Sequence, residues 1–299
     1  MNDKLEMFIA LSRESHFGRA AQSLNISQPT LSSGIKQLEE ILGVQLVFRG
    51  SRFGGLTPEG QATLVWAQRI VADTRQLRDE MRMKRHGLSG KVKLAVIPTA
   101  QTWAARLATS FTTKHPNVGF TILARTSREI LKMLDQFEAD AGISYLDNEP
   151  LGRVEKAELY EEKYILVCAE DSPMAGRERV HWRELDGESL ALLTPDMQNR
   201  RIINQMLAEF GATPDVRIES NSIIALVASV ATGRCMALLP TDAARFLSGG
   251  KDLSLVPIYG ARKGYSVGLL LPHHDPRTPV LEALLAEART LPAQYDRKS

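Results

Sequence analysis

Apolar positions in the first stretch of the chain recur at helical spacing and are broken twice. Leu5, Phe8, Ile9 and Leu11 share one face. Ser15 then opens a second segment with His16, Phe17, Ala20, Ala21 and Leu24 turned inward. Asn25-Ile26 is a tight break. Ser27 starts a third segment, with Leu31, Ile35, Leu38 and Ile41 or Leu42 at spacings of three and four, and Gly43 ends it. Leu46-Val47-Phe48 and Gly54-Gly55-Leu56 read as two short strands around a charged turn, Arg49-Gly50-Ser51-Arg52. Thr57-Pro58-Glu59 is a helix start, with Thr as N-cap and Pro in the first turn. One long helix is expected from Glu59 to Lys84. On it Ala67, Ile70, Thr74, Leu77 and Met81 form a coiled-coil seam. No second stripe is rich enough to bury that helix inside one domain, so pairing with a second copy is the expected use of the seam.

After Gly90 the pattern changes to strands alternating with helices. Expected strands are Val92–Ile97, Val118–Ala124, Ala141–Ser144, Tyr164–Ala169, Leu190–Leu193, Val216–Glu219, Met236–Leu239 and Tyr265–Leu271. Expected helices are Thr102–Lys114, Ser127–Phe137, Arg201–Phe210, Ile223–Thr232 and Val280–Arg289. This alternation implies parallel strands with crossover helices, arranged as two α/β lobes with a cleft between them. The resulting division is 1–58 for the helical head, 59–86 for the long helix, 87–90 for a hinge and 91–299 for the lobed domain. Lobe I takes about 91–162 and 266–299, and lobe II about 163–265.

Composition narrows the function only a little. The chain has 299 residues, 43% hydrophobic and 24% charged, with a net charge of +2. That balance suits a globular protein and is too small to argue for nucleic acid by itself. The N-terminus lacks a signal-peptide pattern, and no run approaches the ~20 apolar residues of a membrane span. Cytoplasmic residence without a membrane partner is the expectation. The two cysteines, Cys168 and Cys235, stand in no metal-ligand spacing. Cys168 lies in an apolar strand and reads as a buried thiol. Cys235, in Gly-Arg-Cys-Met-Ala, is placed to line a cleft, with redox sensing there the lesser reading. No cofactor or metal is implied.

The head has the chemistry of a DNA reader. Two closely crossing helices need small residues at their contact, which Ala20 and Ala21 supply. The turn needs a residue tolerant of positive φ, and Asn25 is one. Ser27 caps the third helix and Pro29 sits in its first turn, where a missing N–H does no harm. Facing outward are Gln28, Thr30, Ser32, Ser33 and Lys36, a set suited to the major groove. An ordinary polar face of a small helical domain is the plain alternative.

Ser15 to Ser32, Ile35 to Gly43 and Leu56-Thr57-Pro58-Glu59-Gly60 together resemble the N-terminal signature of LysR-type transcriptional regulators. His115-Pro116-Asn117-Val118, Asp140 to Ile143 and Gly233 to Pro240 fall where that family has sensor-domain markers, so the resemblance covers nearly the whole chain. It implies an N-terminal winged helix-turn-helix, a long linker helix and a C-terminal two-lobed, periplasmic-binding-protein-like sensor domain, α/β in class. It further implies a double-stranded DNA operator and a small-molecule effector as partners. The chain would act as a homodimer and homotetramer, with RNA polymerase a further partner left open. Gln28 would contact base edges and Pro29 a base methyl, while Ser27, Thr30, Ser32 and Lys36 would face mainly phosphates and Ser33 would share the same DNA-facing surface. Arg49 and Arg52 would reach backbone or minor groove from the wing. Two departures stand out. The wing aromatic, Phe48, is displaced by one residue from the family order. Gly34 interrupts the recognition helix at a cost of roughly 1 kcal/mol relative to Ala, and either permits close approach to DNA or is simply tolerated.

The expected effector site gathers Thr99, Ala100 and Gln101 after the first strand and Thr126 and Ser127 after the second. Thr194 and Asn221 come from the other lobe. These positions cluster hydroxyls, amides and helix-start N–H groups, which favour an anionic metabolite. Ordinary helix capping is the competing reading for each residue alone. Enzyme readings find no support: there is no nucleophile elbow, P-loop or dinucleotide fingerprint, and the adjacent His273-His274 pair reads as a surface loop. A solute-binding receptor without DNA function is the alternative.

Overall fold

The computed structural model describes residues 1–48, 53–147, 150–260, 264–273 and 277–295, and within its helices it leaves the side chains of 79–80, 82–86 and 294–295 undescribed. Arg49, Arg52 and His274 lie outside the described residues. The chain forms two compact units, Met1–Gly87 and Leu88–Ser299.

The first unit holds α1 (Asn2–Glu14), α2 (Phe17–Ser23), α3 (Gln28–Leu42) and α4 (Pro58–His86). Phe8, Leu11, Ala20, Leu31 and Leu38 are fully buried at its centre, with Ile35 and Leu46 beside them. Ser15 does not open α2. It ends α1 in the left-handed region at φ 49, and His16 is the cap instead. The imidazole Nδ1 of His16 accepts from Gly18 N at 3.0 Å and Arg19 N at 3.3 Å. Asn25 takes positive φ (53°) in the turn, and Ser27 Oγ accepts from Thr30 N at 3.2 Å. The two wing strands reduce to one bridge, Val47 to Leu56. The link between wing and α3 is instead a buried carboxylate: Glu39 Oε1 accepts from Leu46 N at 2.8 Å and Val47 N at 3.3 Å. Helix α4 spans 29 residues, about 43 Å at 1.5 Å per residue. Thr57 Oγ1 accepts from Gly60 N at 2.9 Å and so caps it.

The second unit contains two sheets. Its elements are β1 (Gly90–Val96), α5 (Gln101–Lys114), β2 (Val118–Ala124), α6 (Ser127–Asp135), β3 (Ala141–Tyr145), β4 (Val154–Glu162), β5 (Tyr164–Ala169), β6 (Val180–His181), β7 (Ser189–Leu193), α7 (Gln198–Glu209), β8 (Asp215–Ser220), α8 (Ile223–Val230), β9 (Met236–Pro240), α9 (Thr241–Ser248), β10 (Leu253–Tyr259), β11 (Tyr265–Pro272) and α10 (Pro279–Tyr295). One sheet runs β2-β1-β3-β11-β4 and the other β6-β10-β5-β9-β7-β8. The expected parallel pairs are present, β1 with β2 and β3, and β7 with β8 and β9, but both sheets are mixed. β11 is antiparallel to both β3 and β4, and β5 is antiparallel to both β9 and β10. The chain passes between sheets twice, through Lys163 between β4 and β5 and again between β10 and β11. Strands β4 and β10 and helix α9 were not anticipated. The polar β4 (Val154-Glu155-Lys156-Ala157-Glu158) carries too weak an alternation to announce itself. Its inward positions, Ala157, Leu159 and Glu162, are nevertheless buried.

Candidate DNA-reading face and effector cleft

Helix α3 is sharply two-sided. Leu31, Gly34, Ile35, Leu38 and Glu39 are buried. Ser27, Gln28, Pro29, Thr30, Ser32, Ser33 and Lys36 are all exposed. Within that face Ser27 Oγ and Thr30 Oγ1 lie 2.8 Å apart, so these two hydroxyls stabilise the helix start. Gln28 stands beside them with a free-standing amide. Lys36 Nζ lies 3.7 Å from Glu40 Oε1, with both side chains more than half exposed. A surface pair of that kind is worth about 0–1 kcal/mol and leaves the ammonium available to phosphate.

The structure gives Gly34 a reason that has nothing to do with DNA. A Cβ at Gly34 would come within 2.3 Å of Met7 Sδ, so the glycine lets α1 lie against α3. The α4 seam also divides. Ala67 is fully buried in the core of its own unit with Val71, and so is not part of an outer face. Ile70, Leu77 and Met81 are exposed, joined by Val65 and Trp66, each 63% exposed and neither anticipated. Thr74 spends its hydroxyl on Ile70 O at 2.7 Å. Trp66, Ile70, Leu77 and Met81 recur at helical spacing along one side of α4.

In the second unit the predicted effector residues sit at the carboxyl ends of neighbouring strands. Thr99 follows β1 and Thr126 follows β2, where Arg125 N donates to Val96 O at 2.9 Å. Thr194 follows β7 and Asn221 follows β8, where Thr194 N donates to Ser220 O at 3.1 Å. Their fates differ. Thr126 is spent on a capping box: its Oγ1 and N both bond Glu129 Oε2, at 3.0 and 2.8 Å. Ala100 is fully buried in the core, while Gln101 and Asn221 are exposed. Ser127 Oγ and Thr194 Oγ1 are buried with no hydrogen-bond partner among the described residues. Leaving such a group unpaired costs about 1–3 kcal/mol.

Next to Ser127 a cavity of about 580 Å³ opens between α6 and α7. Arg128 and Leu131 line it from α6, and Gln198, Arg201 and Ile202 from α7. Arg201 Nε donates to Gln198 Oε1 at 2.7 Å, which fixes the guanidinium at the wall. Arg128 belongs to the Thr126-Ser127-Arg128 loop expected at the cleft, whereas Arg201, seven positions after Thr194, was not anticipated.

A second unanticipated feature lies at the crossing of the sheets. Glu162, the last residue of β4, is 1% exposed. Its carboxylate accepts from Tyr145 OH at 2.5 Å, Tyr164 OH at 2.9 Å and Tyr160 OH at 3.2 Å. Burial pushes its pKa above the ordinary carboxylate value, against the pull of these hydroxyls and that of Thr99. The Thr99 contact is not aligned as a full hydrogen bond. The three phenols are pushed well up by the same burial and by the neighbouring carboxylate.

Residues 2–61 match the bacterial regulatory helix-turn-helix protein family of the LysR type, and residues 85–292 match the LysR substrate binding domain. The chain belongs to the LysR family. It is a DNA-binding transcriptional regulator with an effector-binding domain, and neither an enzyme nor a receptor without DNA function. It is 30% identical over 237 residues to the DNA-binding transcriptional dual regulator OxyR of Escherichia coli, covering 79% of this chain and 77% of that one. It is 29% identical over 238 residues to the hydrogen peroxide-inducible genes activator of Dickeya chrysanthemi, covering 79% and 78%. Full-length OxyR from Pseudomonas aeruginosa, solved as a cysteine-to-aspartate variant, superposes with a TM-score of 0.73 at 25% identity, covering 97% of each chain. Among the described residues no helix is long and apolar enough to cross a membrane.

Proposed function

We propose that residues 1–58 read an operator through the exposed face of α3, that α4 pairs two copies, and that the domain from about 91 binds a small anionic effector between its lobes. Residues 87–90 act as the hinge. The observation that carries the DNA assignment is the polarity of α3, whose polar face is wholly exposed while its opposite face is buried. Gln28 offers a base edge both a donor and an acceptor; Lys36 offers a phosphate a charge. The effector assignment draws on a cavity between α6 and α7 bearing Arg128 and Arg201, and on the buried hydroxyls of Ser127 and Thr194, unpartnered among the described residues, at the strand ends that lead into those helices. The apolar side of α4 supports a dimer. Contact between sensor units would extend it to a tetramer that places paired readers on successive turns of DNA. The protein works in the cytoplasm, where RNA polymerase is a further partner when the operator overlaps a promoter.

Selection of genomic fragments followed by gel-shift titration tests this reading. Affinity should fall steeply with salt as phosphate contacts release counterions. Gln28→Ala should reduce discrimination between selected and random sites, by about 1–3 kcal/mol for one bidentate base contact. Lys36→Ala should weaken all sequences alike. Unaltered selectivity in Gln28→Ala would remove this face of α3 from base reading.

A further inference from the structure

The carboxylate of Glu162 stands where both passages between the sheets adjoin. It ends β4 one residue before the chain enters β5, and it pairs in register with Tyr265 at the start of β11. Gly264 N donates to Glu161 Oε1 at 3.0 Å and ties the second passage to the first. From this point contacts run into both lobes. Tyr145 comes from β3 and Tyr160 from β4, while Tyr164 comes from β5. Tyr164 OH accepts from Asn199 Nδ2 at 3.3 Å, reaching the first turn of α7 beside Gln198 of the cavity wall. Tyr160 stacks on Trp103 with centroids 5.1 Å apart and planes 3° apart. Trp103 Nε1 in turn donates to Asp242 Oδ2 at 2.6 Å, on α9 of the other sheet's lobe.

We propose that Glu162 is a positioning residue for the effector response: by gathering Tyr145, Tyr160 and Tyr164 at the crossing, it holds the start of α5 of one lobe, through Trp103, and the start of α7 of the other in one geometry. This inference rests on the reading of the interlobe cleft as the effector site. A fully buried carboxylate is expensive, and here three phenol donors compensate it. A leucine of similar volume would serve packing alone at lower cost. The arrangement also distinguishes protonation states. The carboxylate accepts all three phenols, whereas a carboxylic acid must donate its proton to one of them and displace a hydrogen bond. The other charged or titratable groups around the network are Tyr265 on β11, Glu161 and Lys163 on the crossing, and the Arg106–Asp242 pair behind Trp103, at 3.5 Å. Arg200, next to Asn199, is turned away onto Glu219 and Leu193 O, at 2.7 Å each.

The test uses the full chain without ligand, comparing wild type with Glu162→Gln and Tyr164→Phe by hydrogen exchange. Glu162→Gln keeps the shape and should raise exchange in 101–105, around Trp103, and in 197–200 together, by roughly tenfold, the effect of losing one charge-assisted hydrogen bond. Tyr164→Phe keeps the carboxylate and should raise exchange in 197–200 alone. Tryptophan emission, in a background where Trp66→Phe removes the exposed reporter, should follow a one-proton step above the usual carboxylate range and lose that step in Glu162→Gln. Changes confined to one lobe in Glu162→Gln, changes spread evenly over both cores, or a step that persists without Glu162 would each overturn the proposal. Because no effector is added, failure to find a metabolite for the cleft would leave these outcomes unaffected.

Discussion

Two glycines in the DNA-reading unit show how the nature of a neighbour sets the cost of a side chain. Gly60, in the first turn of α4, lies so close to the wing that a Cβ would come within 2.0 Å of Leu46 O. That carbonyl is backbone and also accepts from Thr57 N at 3.0 Å, so it cannot yield without disturbing the cap of α4. Gly34 faces Met7 Sδ at a similar distance of 2.3 Å, but a thioether on an unbranched chain can rotate away. Ala at position 34 also recovers roughly 1 kcal/mol of helix propensity. Gly60→Ala should therefore destabilise the chain by at least the ~1–3 kcal/mol typical of overpacking, and Gly34→Ala by clearly less. Urea unfolding of the two variants checks the order, and a Gly34→Ala variant as unstable as Gly60→Ala would refute it. The same pair shows where sequence reading stops. Gly34 was legible as a helix-propensity fault, but its partner Met7 lies twenty-seven positions away, and only the fold brings the two together.

At the scale of elements, legibility followed periodicity. The turn at Asn25, the cap at Ser27 and the inward faces of α1 and α3 were readable because local chemistry fixes them. The strand β4 and the crossing at Glu162 were not, because one glutamate among several in a polar strand gives no sign that Tyr160 of its own strand, Tyr145 of β3 and Tyr164 of β5 will surround it. Helix α4 is intermediate. Its seam was read from spacing, yet Ala67 turns inward while Trp66 turns out, since the N-terminal half of α4 must also cover α1. The side left exposed, with Trp66, Ile70, Leu77 and Met81, is not covered by the described residues of its own unit. Leu77 is 57% exposed, and burying it fully against a second copy is worth about 1.5–3 kcal/mol per protomer. A lysine there would carry an ammonium into the paired face at a cost exceeding that gain. Leu77→Lys is expected to shift the sedimentation of the full chain toward monomer, while Arg75→Glu, exposed on the opposite side of α4 and charged already, should not. Identical sedimentation of wild type and Leu77→Lys would mean that this face is not the dimer contact.

For the whole molecule, the relatives raise the question of peroxide sensing, since one of them is named for it, and the placement of the cysteines answers against a thiol route here. Both cysteines are free and buried. Cys168 lies on β5 among Trp182, Leu190 and Leu238. Cys235 lies just before β9 among Ile223, Val230 and Ala237. They therefore belong to separate cores, which the sheet of that lobe divides, since Leu238 joins the first core and its strand neighbours Ala237 and Leu239 join the second. A disulfide needs Cα atoms within about 7 Å and converging Cβ vectors, and side chains on opposite faces of a sheet do not converge. Burial also raises both thiol pKa values, so the reactive thiolate is scarcer than in a free cysteine. Neither thiol has a charged partner to reverse this among the causes that move it, the Ser172 hydroxyl being the one opposing influence on Cys168. Replacing both with serine would bury two stronger hydrogen-bonding groups, so alanine is the cleaner substitution. Cys168→Ala with Cys235→Ala should leave operator binding, oligomeric state and effector response intact. Millimolar peroxide applied to the native chain should form no intramolecular disulfide by mass and leave the DNA footprint unchanged. A footprint that moved with peroxide in the wild type and not in the double alanine variant would establish a redox switch and require lobe II to open far enough to expose both cores.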